Sequence, residues 1–266
     1  MKKLFVIVSA MIFAVGNVSA QEDNFMFNHL SAGIGVGTTG IEIQVGAPLT
    51  DHFEVRAGYS FMPKIKAKPT IDFNSNEDFL KKEDGSGYYD KAEVEAKLNM
   101  GDFKLLFDYF PSSTGLFHIT AGAYIGKSQL AKATTTNTFI NSTYWGNSGP
   151  ELGSASQTYT VVSDNEGRIN AEAKVNSFKP YIGIGVGRAV PTNRLNVSFD
   201  FGVQFWGKPE LWTNIDDNFG TQYRKVEADK ILGTQDYCKD IKDALDIVDK
   251  VIVYPVLTVR LNGRIF

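Results

Sequence analysis

The segment Arg194–Trp206, RLNVSFDFGVQFW, alternates without a break. Leu195, Val197, Phe199, Phe201, Val203 and Phe205 fall on one face, and Asn196, Ser198, Asp200, Gly202 and Gln204 on the other. A period of two over this length is that of a β-strand with one apolar and one polar face. It also spans the roughly 9–11 residues with which a tilted strand crosses a bilayer. The apolar row must meet either a protein core or lipid, and the rest of the chain argues for lipid.

Lys2 and Lys3 precede an apolar run from Leu4 to Val15, and Val18-Ser19-Ala20 supplies small residues ahead of a cut after Ala20. This reads as a cleaved secretory signal peptide, leaving 21–266 as a single domain. The run is too short for a membrane helix, which needs about 20 apolar residues, and no cysteine near the cut offers a lipid anchor. Beyond it no apolar run suffices for a spanning helix, so a closed β-barrel is the way left to satisfy a backbone in hydrocarbon. The net charge is −3 and the basic residues are scattered, which points away from nucleic acid. Cys238 stands alone; it permits no internal disulfide or two-cysteine metal clamp and is read as a packed or idle thiol.

Seven further segments alternate in the same way: Asn28–Thr38, Ile41–Ala47, Asp51–Met62, Glu93–Phe110, Leu116–Gly126, Phe178–Ala189 and Val251–Phe266. The fourth changes phase, from Val94, Ala96, Leu98 and Met100 to Phe103, Leu105, Phe107 and Tyr109. A bulge near Gly101-Asp102 would produce that slip. Short turn-like connections at Pro48-Leu49-Thr50, Pro111–Thr114 and Pro191-Thr192-Asn193 alternate with long ones over 63–92, 127–177 and 207–250, apart from one short link near Thr38–Gly40. Short turns at one end and long loops at the other are the pattern of an outer-membrane barrel. The fold class expected is all-β: an eight-stranded antiparallel up-and-down transmembrane barrel.

The inward face of such a barrel would carry Glu42, Glu54, Asp108 and Asp200 against Arg56, Lys104, Arg260 and Arg264. The signs balance, and a narrow eight-stranded interior can be filled by side chains, so a paired interior and an occluded lumen are expected. Gly33-Ile-Gly-Val-Gly37 recurs as Gly183-Ile-Gly-Val-Gly187. No helix follows either, so these are read as small inward residues making room for bulky neighbours rather than a nucleotide fingerprint.

Signal peptide, eight alternating strands, asymmetric connections and a chain ending in Phe266 resemble the small bacterial outer-membrane barrels of the OmpA/OmpX type. The resemblance is architectural and carries no catalytic motif. It implies residence in the Gram-negative outer membrane and delivery by a periplasmic chaperone route to the barrel-assembly machinery, which reads a C-terminal aromatic strand. Phe266 would be that signal, yet Arg264, Asn262 and Arg260 occupy the alternate positions counted back from it. Either a bulge near Asn262-Gly263 resets the register or the last residue hangs free.

His29, His52 and His118 are the only histidines; they define neither a metal set nor a Ser-His-acid grouping, and no cofactor is expected. The loops offer more. Residues 63–92 are charged and read as solvated, and Tyr159–Ala173 could form a hairpin turning at Asp164–Gly167, which would raise the strand count to ten if it reached the bilayer. Tyr237, Ile241, Ala244, Leu245 and Val248 recur at helical spacing. They predict a helix over 235–250 that caps the barrel mouth or acts as a lid or partner-binding element. Trp206, Trp212 and Tyr59 are assigned to an outer aromatic girdle. Three function classes follow: a non-enzymatic barrel serving surface interaction or envelope integrity, a small channel or hydrophobic-ligand carrier, and a lipid-modifying enzyme built on His118 or His52.

Overall fold

Alternating strands leave no backbone group unpaired in an apolar medium only if their sheet closes on itself, and here it does. The computed structural model describes residues 28–63, 65–72, 76–146, 160–216, 221–226, 250 and 252–265. In chain order the first strands are β1 (Ser31–Gly37), β2 (Gly40–Thr50), β3 (Phe53–Phe61), β4 (Lys66–Ala67), β5 (Thr70–Asp72) and β6 (Lys91–Leu98). Then come β7 (Gly101–Tyr109), β8 (Phe117–Gly126), β9 (Gln129–Thr135), β10 (Thr160–Val161) and β11 (Asn170–Lys174). The last are β12 (Phe178–Val186), β13 (Leu195–Phe205), β14 (Glu210–Asp216), β15 (Thr221–Val226) and β16 (Val253–Arg264).

Eight of these close into an antiparallel barrel in the order β1-β16-β13-β12-β8-β7-β3-β2. Closure is made by β16 returning to β1, with Ser31 opposite Arg264 and Gly37 opposite Thr258. The eight strands are thus one closed sheet and not two sheets packed face to face. The β16 ladder runs without a bulge from Val253 to Gly263 on one side and from Thr258 to Arg264 on the other. The bulge expected near Asn262-Gly263 is therefore absent, and Phe266 lies outside the described residues.

The alternation sorts residues as its period requires. On β13, Leu195, Val197, Phe199, Phe201 and Phe205 project outward, while Ser198, Asp200 and Gln204 are buried inside. Across the wall Val36, Val259, Phe199, Val186 and Phe117 stand in one register, each between 43% and 61% exposed. A continuous apolar belt around a closed barrel is far larger than the patches soluble monomers expose. It is a surface matched to hydrocarbon. Tight connections and both barrel termini share one end; the Thr38-Thr39 turn and three long excursions share the other.

Those excursions are folded. A second sheet, in the order β10-β14-β11-β9-β6-β4 with β15 on β14 and β5 on β6, stands above the barrel. It rests on a small core of Phe79, Leu80, Ala92, Phe139 and Ile140. The charged segment 63–92, expected to be solvated, thus contributes two of the most buried apolar side chains outside the barrel.

The fourth expected segment splits at Asn99-Met100 into β6 and β7, which belong to different sheets. Its phase change is not a bulge at Gly101-Asp102. Asp102 faces Gly126 whereas Leu98 faces Ala131, and Phe61 faces Gly101 whereas Lys66 faces Lys97. The extra residue sits on each neighbouring strand, so β6 and β7 keep one phase. Ala92 and Val94 share the face of the inward Asp102 and Lys104. The apolar face inverts because the surroundings do: inside the belt the outer wall meets lipid, and above it the inner wall is the one to bury.

The expected hairpin is also corrected. β10 and β11 do not pair with each other; they follow one another along β14, Val161 opposite Ile215 and Ala171 opposite Thr213. The intervening turn at Asp164–Arg168 is present, with Asp164 Oδ1 accepting from the amides of Glu166 and Arg168. The barrel remains at eight strands. The helix predicted over 235–250, with Tyr237, Ile241, Leu245 and Val248, lies outside the described residues, as does Cys238.

Candidate functional site

The lumen is the place where this barrel departs from an inert wall, and it is built in three levels. At the end carrying the tight turns, Gly187 adopts φ +106°, a conformation that favours glycine, and turns the chain inward. The amides of Ala189 and Val190 donate to Glu54 Oε2 at 2.9 and 3.2 Å. Arg188 Nη1 lies 3.1 Å from Glu54 Oε1 and its guanidinium packs 4.1 Å over the Phe110 ring. Arg188 also donates to the carbonyls of Ser113 and Gly115 in the neighbouring turn. The β12–β13 turn is thereby tied into the mouth as a stopper.

The middle level is ionic. Arg56 is fully buried and grips Asp108 with both edges, Nε to Oδ2 at 2.6 Å and Nη2 to Oδ1 at 2.7 Å. It reaches Asp200 Oδ1 at 3.2 Å. Asp200 also pairs with Arg260 and accepts from His118 Nε2 at 2.9 Å, where the ring tautomer sets the donor. Glu42 pairs with Lys104 at 2.7 Å and lies 3.8 Å from Arg260. Thr120 donates to Asp108 at 2.7 Å and Arg260 Nε donates to Ser198 at 3.2 Å. Buried charges persist when paired and hydrogen-bonded, and the bidentate arginine grip is the strongest form of that pairing. Arg56, Lys104 and Arg260 balance Asp108, Asp200 and Glu42.

Above lies an apolar layer of Leu106, Tyr124, Tyr181 and Val256, the two tyrosine rings edge to face at 5.5 Å. At the upper mouth Lys179 meets Asp102 at 2.5 Å, and Trp206 stacks on Tyr254 with ring centres 4.3 Å apart. Trp206 Nε1 donates to Gln204 at 2.8 Å.

The room for all this comes from glycine. A Cβ on Gly35 would stand 2.6 Å from Arg260 Cγ, one on Gly33 would collide with Asn262 Oδ1, and one on Gly185 with His118 Nε2. The two repeated glycine runs thus serve the bulky residues across the lumen.

Of the eight charges expected inside, Glu42, Arg56, Lys104, Asp108, Asp200 and Arg260 are brought into one connected group, and Glu54 sits below with Arg188. Arg264 is different. It is the last residue of β16, opposite Ser31 at the short-turn rim, and it is exposed there. Sequence reasoning does not pair Lys179 with Asp102 or find Arg188. Lys179 is legible, since Phe178, Pro180 and Ile182 mark the outward phase of β12; Arg188 lies in a turn, where no period applies. Trp206 is 4% exposed inside the mouth, not in an outer girdle; Trp212 lies on the upper sheet beneath Lys174, and Tyr59 packs on Phe103.

His118 has both ring nitrogens within reach of partners, Asp200 and the Leu116 carbonyl, and is 1% exposed. His52 accompanies the Phe110 carbonyl at 2.7 Å. Among the described residues, the partners of these ring nitrogens are carbonyls and a carboxylate, not a hydroxyl or thiol.

No family model matches the chain, and no curated protein matches it. Among solved structures it is similar to Acinetobacter baumannii CarO, at 16% identity and TM-score 0.44 over 91% of this chain and 99% of that one. It is likewise similar to Acinetobacter baumannii CarO2, at 15% and 0.47 over 90% and 99%. A major outer membrane protein from Thermus thermophilus follows, at 12% and 0.38 over 89% and 98%. The fold rests on the strand order and not on these likenesses.

Proposed function

We propose that the protein is a non-enzymatic barrel of the bacterial outer membrane, of the small OmpA/OmpX kind, that holds a folded platform of loops at the cell surface. The short-turn end faces the periplasm and the second sheet faces outward, the arrangement usual for such barrels. Export through the signal peptide cut after Ala20 and insertion by the barrel-assembly machinery through the terminal strand and Phe266 belong to the same reading. Its partners are the bilayer and whatever the platform meets at the surface.

The observation that carries the reading is the filled lumen: Arg56, Asp108, Glu42 and Lys104 are each no more than 3% exposed, between a stopper below and a tyrosine layer above. A channel needs continuous water through that space, and a lipid-modifying enzyme needs His118 or His52 to reach a substrate beside an acid and a hydroxyl; His118 is sealed in the lumen, and His52 is held against the Phe110 carbonyl at the short-turn end. Purified protein in a planar bilayer is the test. The expected record is a flat current across the voltage range in which the barrel stays folded. Regular unitary steps at low voltage would favour the channel instead.

A further inference from the structure

The second sheet, unlike the barrel beneath it, is open. It continues β3 as β4, β7 as β6, β8 as β9, β12 as β11 and β13 as β14, with β15 on the edge of β14 that lies over β16. Among the described strands none of that sheet stands over the β1–β2 hairpin, whose turn is only Thr38-Thr39. This gap reaches below the rim of the apolar belt. β1 ends at Gly37 opposite Thr258, whereas β16 extends to Val253, which pairs with Phe205 and is still 36% exposed on the outer wall.

The sill of the gap is fixed. The Thr38 hydroxyl donates to the Pro255 carbonyl at 2.9 Å and accepts from the Leu257 amide at 3.1 Å, and Tyr254 Oη donates to the Thr38 carbonyl at 2.7 Å. Its flanks are unsuited to pairing with a further strand. Pro255 has no amide to offer, and the segment of β4 and β5 on the other side carries Lys66, Lys68 and Pro69.

Behind the gap the inner face of the second sheet is apolar. Leu98, Ala131, Ala173, Leu211 and Val226 stand opposite one another in one row, and Ala96, Ala133 and Ala171 form the next. Ile65, whose carbonyl accepts from the Leu98 amide, shares that face; it and Leu98 remain 49% and 37% exposed although they point inward. The alanines leave a hollow against the wall. Above, the same face enters the loop core at Ala92; below lie the Trp206–Tyr254 stack and the Lys179–Asp102 pair. Apolar side chains left open on a concave face are the mark of a ligand site.

We infer that this hollow binds an uncharged, chain-like lipophilic molecule that enters sideways from the adjoining leaflet over the β1–β2 turn. Continuity with the belt selects that occupant. Val36 and Ile41 of the hairpin are 61% and 41% exposed on the outer wall, so a solute dissolved in the leaflet has only the two-residue turn to pass. The alanine rows offer no ionic partner to a charged solute. Because the lumen below is filled, the hollow is a blind site that binds and does not conduct. This rests on the reading that the belt spans a bilayer.

The test uses the full chain in phosphatidylcholine vesicles containing a hexadecane analogue with a photoactivated diazirine, labelled peptides being mapped by mass spectrometry. Labelling of the belt at Phe199 should rise in proportion to the probe, as contact with bulk lipid does. Labelling at Leu98 and Leu211 should instead saturate, and fall about fivefold under excess unlabelled hexadecane. Ala96→Phe, which fills the hollow, should lower the Leu211 signal about fivefold with belt labelling and heat-modifiable mobility unchanged, and Ala133→Leu should lower it part-way. An unlabelled inner wall in wild type, labelling there that does not saturate, or no effect of either variant at unchanged mobility overturns the inference. Labelling of the wall that appears only in I241S/L245S overturns it in favour of the chain's own 235–250 segment as occupant. Labelling that appears only at high dilution of protein in lipid overturns it in favour of a second copy. Failure to label Phe199 would instead strike the membrane reading of the belt.

Discussion

Replacing Arg56 with methionine removes one charge from the centre of the lumen and keeps most of the stem. Asp200 loses a partner 3.2 Å away but retains Arg260 and His118. Asp108 fares worse: its guanidinium contacts at 2.6 and 2.7 Å vanish, and only the Thr120 hydroxyl remains. A single buried carboxylate stripped of its counter-charge costs about 3–5 kcal/mol. Removing both partners leaves no buried charge unpaired and strands only the Thr120 hydroxyl, so R56M/D108L is expected to fall within about 1–3 kcal/mol of wild type. Reversible urea unfolding in phosphatidylcholine vesicles, followed by heat-modifiable gel mobility, measures both. An R56M cost under about 1 kcal/mol, the value of a solvated surface pair, would refute the reasoning, because it would mean that water already fills the lumen. So would a double variant as unstable as the sum of its parts.

Three further outcomes are expected. Glu54→Ala leaves the Ala189 and Val190 amides without their acceptor and takes the ion pair from Arg188, which keeps the Ser113 and Gly115 carbonyls of the next turn; a loss of about 2–4 kcal/mol follows from buried donors costing about 1–3 each, with new protease cuts within 187–194, and an uncut turn would contradict the stopper. Gly185→Val drives its side chain against His118 Nε2 and the Phe199 carbonyl, the latter 2.6 Å from the Cβ. It should cost about 1–3 kcal/mol by overpacking; an unchanged urea midpoint would show slack in the lumen. Phe199→Lys, in the middle of the outer belt, should cost about 2–4 kcal/mol in vesicles, and a negligible effect would put that face in water.

The barrel is legible in the sequence because its signal is repeated. Eight alternating segments with short links at one end point to a single closure, and each strand's inward charges follow from the phase of its phenylalanines and valines. Where that phase misleads, residues are misplaced with it. Val94, Ala96 and Leu98 read as lipid-facing when apolar is equated with outward, a rule that reverses above the bilayer. The same step hides the Asp102–Lys179 pair. Trp206 looks like an interface anchor, but it follows the last outward residue of β13 and stacks on Tyr254 instead. The platform is hardly legible at all. Its order arises from ladders between segments far apart in sequence, such as Ala96 opposite Ala133 and Ala171 opposite Thr213, which no local period announces.

The central claim is that neighbouring residues of β13 face two dry but different environments, lipid outside and a packed ionic core within. Thiol labelling of S198C and F199C, each in a Cys238→Ser background in intact outer-membrane vesicles, tests it directly. Ser198 is fully buried and Phe199 is 55% exposed on the belt. The account predicts that the F199C thiol reacts with a lipid-soluble maleimide only, and that the S198C thiol stays silent to a membrane-impermeant methanethiosulfonate applied from either side. Rapid modification of the S198C variant by the aqueous reagent would contradict it.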